Sequence, residues 1–182
     1  MRKSIVILQF SSRDKGNCSG IVSFLNEYYS KTDVCNFVVD ANNMPACSNC
    51  NYECLKNEEV CPNITEGQKG MFDAICGAET VFFIVPNYCG FPCANYFAFN
   101  ERSVGYFNKD RSLMGKYMSV QKRFIIVSNT QGQNFEAAMM QQVNSEPDIL
   151  YMKTGKYRKK SIDGDMLDSE EAKADLRGFL ES

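Results

Sequence analysis

"KSIVILQF", at residues 3–10, is a run of mostly aliphatic and β-branched side chains, and the polar turn "SSRDKGNCSG" (11–20) follows it. Such a run predicts a strand that is covered on both faces of its sheet, because a strand with one solvated face alternates between apolar and polar residues. The segment 19–31 then repeats apolar side chains at helical spacing. A buried strand, a polar loop and a helix are therefore predicted at the start of the chain.

The same unit recurs along the sequence. Further strands are predicted at 33–41, 79–87, 122–130 and 148–155, and further helices at 65–78, 94–107, 135–144 and 168–182. Hydrophobic strands that alternate with helices predict an α/β fold, with a parallel sheet covered by helices on both faces. At this length we expect a single flavodoxin-like domain over 1–182: a three-layer sandwich with five strands in the order 2-1-3-4-5. A cysteine-rich loop at 44–62 interrupts the pattern.

The composition of the chain argues against several classes of function. The chain has 182 residues, of which 44% are hydrophobic, and a net charge of -2, which argues against nucleic acid or an anionic membrane as partner. No apolar run approaches the roughly 18 residues of a membrane span, so we expect a soluble, cytoplasmic protein. The sequence contains no histidine, which excludes Ser-His-Asp and Cys-His catalysis. We therefore expect no catalytic side chain and a cofactor that carries the chemistry.

In doubly wound sheets, ligands bind beyond the carboxyl ends of the strands, where the strand order reverses. This rule selects the loops 11–19, 86–93 and 129–135. The first has neither a GxGxxG fingerprint nor a Walker lysine. Its polar side chains precede a helix N-terminus, where a phosphate would meet free N–H groups; the candidates are Ser11, Arg13, Asn17, Cys18 and Ser19. The alternative is a polar turn that only caps the helix.

The second loop, within "VPNYCGFPCANY" (85–96), is rigid, aromatic and rich in small residues. It suits a flat aromatic ligand that stacks on a side chain and meets backbone N–H groups at its edge; the candidates are Pro86, Asn87, Tyr88, Cys89 and Gly90. The alternative is a simple turn into the next helix. The third loop offers polar and backbone donors at the end of the fourth predicted strand, and its candidates are Thr130 and Gly132.

Three stretches together resemble one family. "FSSRDKGNCSGI" (10–21) resembles the GSPRxxGNT loop, and "VPNYCGFPCANYFAFNER" (85–102) the SPVYxxxxxxxLKxFIDR segment, of NADPH-dependent FMN reductases and iron–sulfur flavoproteins. "LMGK" (113–116) resembles the LxGK before their fourth strand. The resemblance implies bound FMN, with its phosphate near the first-loop candidates and its isoalloxazine along Pro86 to Gly90. Phe10, Ser12 and Cys18 depart from the family pattern.

Four cysteines in fifteen residues form a second candidate site. Cys47, Cys50, Cys54 and Cys61 follow the spacing C-x2-C-x3-C-x6-C, and thiolates favour zinc and iron–sulfur clusters. The resemblance implies a [4Fe–4S] cluster, although the usual iron–sulfur flavoprotein spacing has two residues in the second gap. Structural zinc, or free or disulfide-bonded thiols, are the alternatives. Cys35 and Cys76 lie in a predicted strand and helix and are expected in the core.

The main hypothesis is an FMN-dependent oxidoreductase linked to NAD(P)H or ferredoxin. The resemblance also implies a homodimer or homotetramer. One alternative is a non-enzymatic electron carrier or redox sensor that works with a redox partner protein. Another is a zinc-stapled α/β binding protein without flavin. The basic stretch "KTGKYRKK" (153–160) could meet the 2′-phosphate of NADPH or an acidic partner, or could be a solvated loop.

Overall fold

A parallel sheet forms the centre of the molecule. The structure is a computed structural model and describes residues 4–47, 50–56, 61–108, 110–129 and 134–182. The parallel strands are β1 (Ser4–Gln9), β2 (Asp33–Val38), β3 (Thr80–Tyr88), β5 (Gln121–Ser128) and β6 (Asp148–Lys153), in the order β2-β1-β3-β5-β6. This confirms the predicted flavodoxin-like order, in which the first and third long strands are neighbours. β2 lies on one side of β1 and β3 lies on the other, so the strand order reverses between β1 and β3.

A two-residue strand, β4 (Phe91–Pro92), lies outside this order and was not predicted. It pairs antiparallel with the end of β3, where Asn87 faces Pro92 and Tyr88 faces Phe91. The end of β3 and β4 therefore form a tight β3–β4 hairpin, joined by Cys89 and Gly90.

Helices cover both faces of the sheet. They are α1 (Asn17–Tyr28), α2 (Glu53–Lys56), α3 (Glu66–Gly77), α4 (Ala94–Phe107), α5 (Arg111–Ser119), α6 (Phe135–Met139) and α7 (Glu170–Glu181). The first turn of α3 begins as predicted, because the Thr65 hydroxyl accepts the Gln68 N–H at 3.2 Å. Sequence analysis predicted neither α2 nor α5. No helix in the described part of the chain is both long and apolar enough to cross a membrane.

The sheet separates two hydrophobic cores. Adjacent residues of a strand point to opposite faces, so Phe82 packs with α1 and α7 while Phe83 packs with α3 and α4. The second core is rich in aromatic rings, among them Phe10, Phe72 and Phe99. The central strands β1, β3 and β5 are buried almost throughout, which explains their continuous hydrophobic sequences.

β2 differs from the central strands because it lies at one edge of the sheet, as β6 does at the other. Only one of its sides pairs with a neighbour, and most of its residues are at least partly exposed. The prediction that Cys35 lies in the core is wrong, since its side chain is exposed. The sequence "DVCNFV" (33–38) places polar residues between apolar ones, as an edge strand allows.

Candidate functional site

A cavity of about 370 Å³ lies at the carboxyl ends of β1, β3 and β5. This volume falls within the range of small-molecule sites. The cavity, called the switch-point cavity below, is lined by eight of the twelve predicted cofactor-binding residues: Ser11, Arg13, Asn17, Cys18, Pro86, Asn87, Tyr88 and Cys89. Ser19 and Gly90 lie beside it, in supporting positions. Thr130 and Gly132 lie outside the described residues.

One wall of the cavity, called the anion end below, is the N-terminus of α1. Gly16 is the N-cap, and the N–H groups of the first turn have no partner within the helix, so they are available to an anion. A Cβ at Gly16 would lie 3.3 Å from the Arg13 Cβ, so the tight approach of the loop to the helix depends on glycine here. Ser19 stabilises this loop, because its hydroxyl donates to the Arg13 carbonyl at 2.6 Å.

The side chain of Asn17 makes hydrogen bonds to the β6–α7 connection. Its amide nitrogen donates to the Ser161 carbonyl at 3.3 Å, and its oxygen accepts the Met166 N–H at 3.0 Å. Arg13 makes a parallel contact, donating to the Ile162 carbonyl at 2.8 Å. Both residues thus tie the β6–α7 connection to the start of α1. For Asn17 the backbone N–H, rather than the side chain, is the group that can meet an anion.

The β6–α7 connection is the wall of the cavity that sequence reasoning missed. Ser161 and Ile162 line the cavity, and Ile162 is 71% exposed at its rim. Gly164 adopts a φ of 76°, and a Cβ there would meet the Lys15 carbonyl at 2.7 Å. The connection can therefore pack this closely against the β1–α1 loop only with glycine at position 164.

Carboxylates neutralise part of the positive charge of the basic stretch (153–160) in this connection. Lys159 pairs with Asp165 at 2.7 Å, and Lys156 pairs with Asp175 on α7. Tyr157 is buried and donates its hydroxyl to Asp175 at 2.7 Å. Much of "KTGKYRKK" therefore holds the connection in place.

Cys18 is a buried thiol beneath the anion end of the cavity. Burial raises its pKa from 9.0 to about 12, the neighbouring Cys93 adds to this rise, and Arg13 opposes it. The thiol is thus neutral at ordinary pH and brings no negative charge near a bound anion. A hydroxyl would be a stronger hydrogen-bond donor at this position.

Another wall of the cavity, called the hairpin end below, is the β3 side of the β3–β4 hairpin with Cys89. Asn87 is buried at the end of β3, where its amide nitrogen donates to the Ser128 hydroxyl at 2.7 Å. Its oxygen accepts the Gly90 N–H at 2.8 Å. Cys89 and Gly90 have φ values of 53° and 88°. A type I′ turn, which closes two-residue β-hairpins, requires a positive φ at both of its central residues. Tyr88, 62% exposed, stands at the rim.

Phe10 stands where the similar loop GSPRxxGNT has glycine, and its packing explains this difference. Its ring packs into the aromatic core, with centroids 5.8 Å from Phe83 and 5.6 Å from both Tyr96 and Phe99. Its carbonyl accepts hydrogen bonds from the Cys93 thiol and the Asn95 amide, each at 3.3 Å. A large side chain can stand here because it points into the core, away from the cavity.

The lining chemistry suits binding more than acid–base catalysis. Among the described lining residues, Arg13 is the cationic side chain, and none is a carboxylate. A guanidinium, a helix N-terminus and an aromatic hairpin in one lining match a flat ligand that carries an anionic tail.

A larger cavity of about 480 Å³ lies elsewhere, between α4, α5 and the turn after α6. Its walls include Phe97, Val104 and Met114. It opens on a helical face, away from the carboxyl ends of the strands. We therefore assign the ligand site of the fold to the smaller cavity, where the strand order reverses.

Described residues at both ends of the cysteine loop (44–62) lie against the C-terminal half of α4. Cys54 and Cys61 are buried, Cys50 is partly buried and Cys47 is exposed. Burial raises the pKa of Cys54, and the nearby Cys61 and Cys50 raise it further. All nine cysteines are free thiols. Within the described residues, no three acidic or thiol side chains are arranged to hold a metal ion, so the metal assignment stays a prediction.

The residue that anchors this loop was not predicted as functional. Arg102 of α4 is 3% exposed and donates to the carbonyls of Pro45 and Ala46 at 3.0 Å each, and to the Cys61 sulfur at 3.6 Å. The neighbouring Glu101 accepts the Cys47 N–H at 2.8 Å. A charged residue in an otherwise apolar helical stripe was the signal that could have singled out Arg102.

No family model matches the chain, and no curated protein sequence matches it either. Solved structures do resemble it. The protein Smu.1420 from Streptococcus mutans aligns with a TM-score of 0.65 at 12% identity, over 96% of this chain and 99% of that one. The Trp repressor binding protein from Bacillus subtilis aligns with a TM-score of 0.61 at 14% identity, over 95% of each chain.

A third similar structure is that of a flavoenzyme. The flavoenzyme NAD(P)H:(acceptor) oxidoreductase FerB from Paracoccus denitrificans aligns with a TM-score of 0.56 at 10% identity, over 100% of this chain and 96% of that one. Identities this low establish a shared fold and no more. The chain is thus similar in architecture to proteins of the flavodoxin-like fold over its whole described length.

Proposed function

We propose that this chain is an FMN-dependent oxidoreductase that accepts electrons from NAD(P)H, with FMN in the switch-point cavity. The observation that carries the proposal is that a helix N-terminus and residues of an aromatic hairpin line one and the same cavity. The similar fold of a flavoenzyme that uses NAD(P)H supports it.

The anion end of the cavity would hold the FMN phosphate. The candidate donors are the backbone N–H groups of Asn17 and Cys18, the Ser11 hydroxyl and the Arg13 guanidinium. Gly16 keeps the loop close to the helix, and all four residues line the same cavity. The neutral Cys18 thiol adds no repulsion.

The hairpin end would hold the isoalloxazine. Asn87 fixes the turn through Gly90, so the backbone of Cys89 and Gly90 has a defined place before a ligand arrives. Tyr88 offers an aromatic face at the rim, and Val127 contributes an apolar wall. When bound, FMN supplies hydride and single-electron chemistry, while the chain binds and orients it.

The exposed rim gives the second substrate a place to dock. Tyr88, Phe91 and Ile162 are all more than half exposed around the switch-point region. A nicotinamide ring could stack over this apolar rim, since such exposed side chains are common at interaction sites. The donor would thus approach from solvent after the flavin is in place.

Anaerobic reduction tests the proposed reaction. Protein loaded with FMN is mixed with NADPH or NADH, and the loss of oxidised-flavin absorbance is followed over time. We expect reduction far faster than that of free FMN by the same donor. Reduction at the rate of free FMN would contradict the proposed activity while leaving FMN binding intact.

An electron carrier is the second candidate, and the position of the cysteine loop favours it. One helix connects the two sites, because α4 begins beside the β3–β4 hairpin and carries Arg102 beneath the cysteine loop. A [4Fe–4S] cluster on Cys47, Cys50, Cys54 and Cys61 would allow electrons to arrive from ferredoxin or another redox partner. Reduction of the flavin by reduced ferredoxin but by neither nicotinamide would favour this candidate.

A further inference from the structure

The larger cavity, between α4, α5 and the turn after α6, shares no lining residue with the switch-point cavity. Its volume of about 480 Å³ is that of a small-molecule site, and it is called the helical-face cavity below. Phe97 and Val104 on its walls are 43% and 48% exposed, and exposed apolar surface of this kind marks a place of interaction. The apolar lining consists of three rings, two thioethers and one aliphatic side chain: Phe97, Phe107, Tyr117, Met114, Met118 and Val104.

Glu101 is the one charged side chain in this lining, all of which belongs to the described part of the chain. One of its carboxylate oxygens accepts the Cys47 N–H at 2.8 Å. Among the described residues, no lysine or arginine nitrogen lies within 4.0 Å of the carboxylate to form a salt bridge. An apolar cavity thus has a single negative charge that is available to a ligand.

Two basic side chains next to the lining bind elsewhere. Arg102 follows Glu101 in the sequence, but its guanidinium donates to two backbone carbonyls of the cysteine loop. The Lys122 ammonium lies 4.2 Å from the centre of the Tyr117 ring and donates to two backbone carbonyls beside it. Neither side chain lines the cavity, so the lining itself is anionic.

Hydrogen bonds hold the three walls of the cavity together. The side chain of Gln142, in the turn after α6, is buried; its nitrogen donates to the Asn100 oxygen of α4 at 2.6 Å. The Gln142 oxygen accepts the hydroxyl of Tyr117 on α5. A buried network in which each member has a partner makes a structure rigid. The walls therefore have defined places before any ligand arrives.

We infer that the helical-face cavity binds a monovalent organic cation with an aromatic body, of the quaternary ammonium or phosphonium class. The faces of the Phe97 and Phe107 rings attract a cation, and the polarizable thioethers of α5 adapt to its apolar body. The positive charge lies towards Glu101, which a neutral ligand would not use and which would repel an anion. Because the two cavities share no lining residue, this inference holds whether or not FMN binds.

Tetraphenylphosphonium and tetraphenylborate are the probes, because the two ions have nearly the same size and shape but opposite charge. Each is titrated into the purified protein by isothermal calorimetry. We expect one tetraphenylphosphonium to bind, at least about tenfold more tightly than tetraphenylborate. Absence of tetraphenylphosphonium binding, or equal affinity for the two ions, would overturn the inference.

Glu101→Gln tests the role of the carboxylate. Glutamine keeps an oxygen for the Cys47 N–H but has no charge, so we expect tetraphenylphosphonium affinity to fall by about tenfold. Glu136→Gln is the matched control, since Glu136 is an exposed carboxylate outside this lining and its loss changes the net charge equally. Wild-type affinity in Glu101→Gln, or an equal loss in both variants, would contradict the role of Glu101.

Two further measurements identify other occupants. Saturating FMN should leave tetraphenylphosphonium affinity unchanged, whereas competition between them would place the cation in the switch-point cavity and overturn the inference. Light scattering gives the oligomeric state of the same samples. A stable dimer that binds no tetraphenylphosphonium would identify a second copy of the chain as the occupant of this face, and would equally overturn the inference.

Discussion

The side-chain oxygen of Asn87 accepts the backbone N–H of Gly90 at 2.8 Å, and the same side chain donates to Ser128 on β5 at 2.7 Å. One buried amide therefore joins the ends of two strands to the turn of the β3–β4 hairpin. The position of the hairpin before any ligand binds depends on this residue.

Asn87→Ala should loosen the hairpin and weaken FMN binding. Losing buried hydrogen bonds typically costs about 1–3 kcal/mol, and we expect a loss of that order in urea-denaturation stability together with weaker FMN binding. Asn36→Ala is the matched control, because Asn36 bonds only an exposed Asn26 side chain in the described structure. Equal FMN affinities in the two variants would argue against the role of Asn87.

Gly164→Ala should disturb the cavity wall formed by the β6–α7 connection. The new Cβ would meet the Lys15 carbonyl at 2.7 Å in a backbone with a φ of 76°, so we expect lower stability and weaker FMN binding. Gly178→Ala on α7 is the control, since a Cβ there meets nothing within 4 Å and alanine favours a helix. The melting temperature should thus fall in Gly164→Ala and rise in Gly178→Ala.

Cys18 should contribute a pH-dependent part of the stability. Because its pKa is about 12 in the folded protein and near 9.0 when unfolded, its contribution is complete below pH 9 and is lost as pH rises toward 12. Wild-type protein should therefore lose stability relative to Cys18→Ser between pH 8 and pH 10.5. Urea denaturation at several pH values measures the difference, and a constant difference would rule out the buried thiol as its source.

Lys122 should have the opposite pH dependence. It is buried at the start of β5, where it donates to the Tyr117 and Val120 carbonyls, and burial lowers its pKa from 10.5 to about 8. A folded-state pKa below the unfolded value means that stability is gained as pH rises from about 8 to 10.5. Relative to Lys122→Met, the wild-type protein should thus become more stable over that interval. A difference that falls or stays flat would refute the shift.

The long strands were predictable because burial on both faces leaves an unbroken hydrophobic run. The β3–β4 hairpin was not, since its turn uses Cys89 at positive φ, where asparagine or glycine is the usual signal. Helix α5 had a readable start in Asp110, whose carboxylate accepts the N–H groups of Ser112 and Leu113. Its short length and polar composition concealed it.

Only those parts of the site that directly follow a predicted strand could be predicted from the sequence. The β1–α1 and β3–β4 loops follow hydrophobic strands, so topology alone brings them together. Ser161 and Ile162 enter the cavity from the connection after β6, and no local pattern indicates that contact. The contact exists because Asn17 and Arg13 bind the carbonyls of that connection, and such long-range pairings appear only in the folded chain.

The most direct test of the FMN proposal is a comparison of FMN with riboflavin, which lacks only the phosphate. Each is titrated into the purified protein, and quenching of flavin fluorescence gives the two dissociation constants. We predict saturable binding of one FMN, at least about tenfold tighter than riboflavin, because the α1 N-terminus and Arg13 meet the phosphate. No quenching by FMN, or equal affinity for the two flavins, would contradict the account.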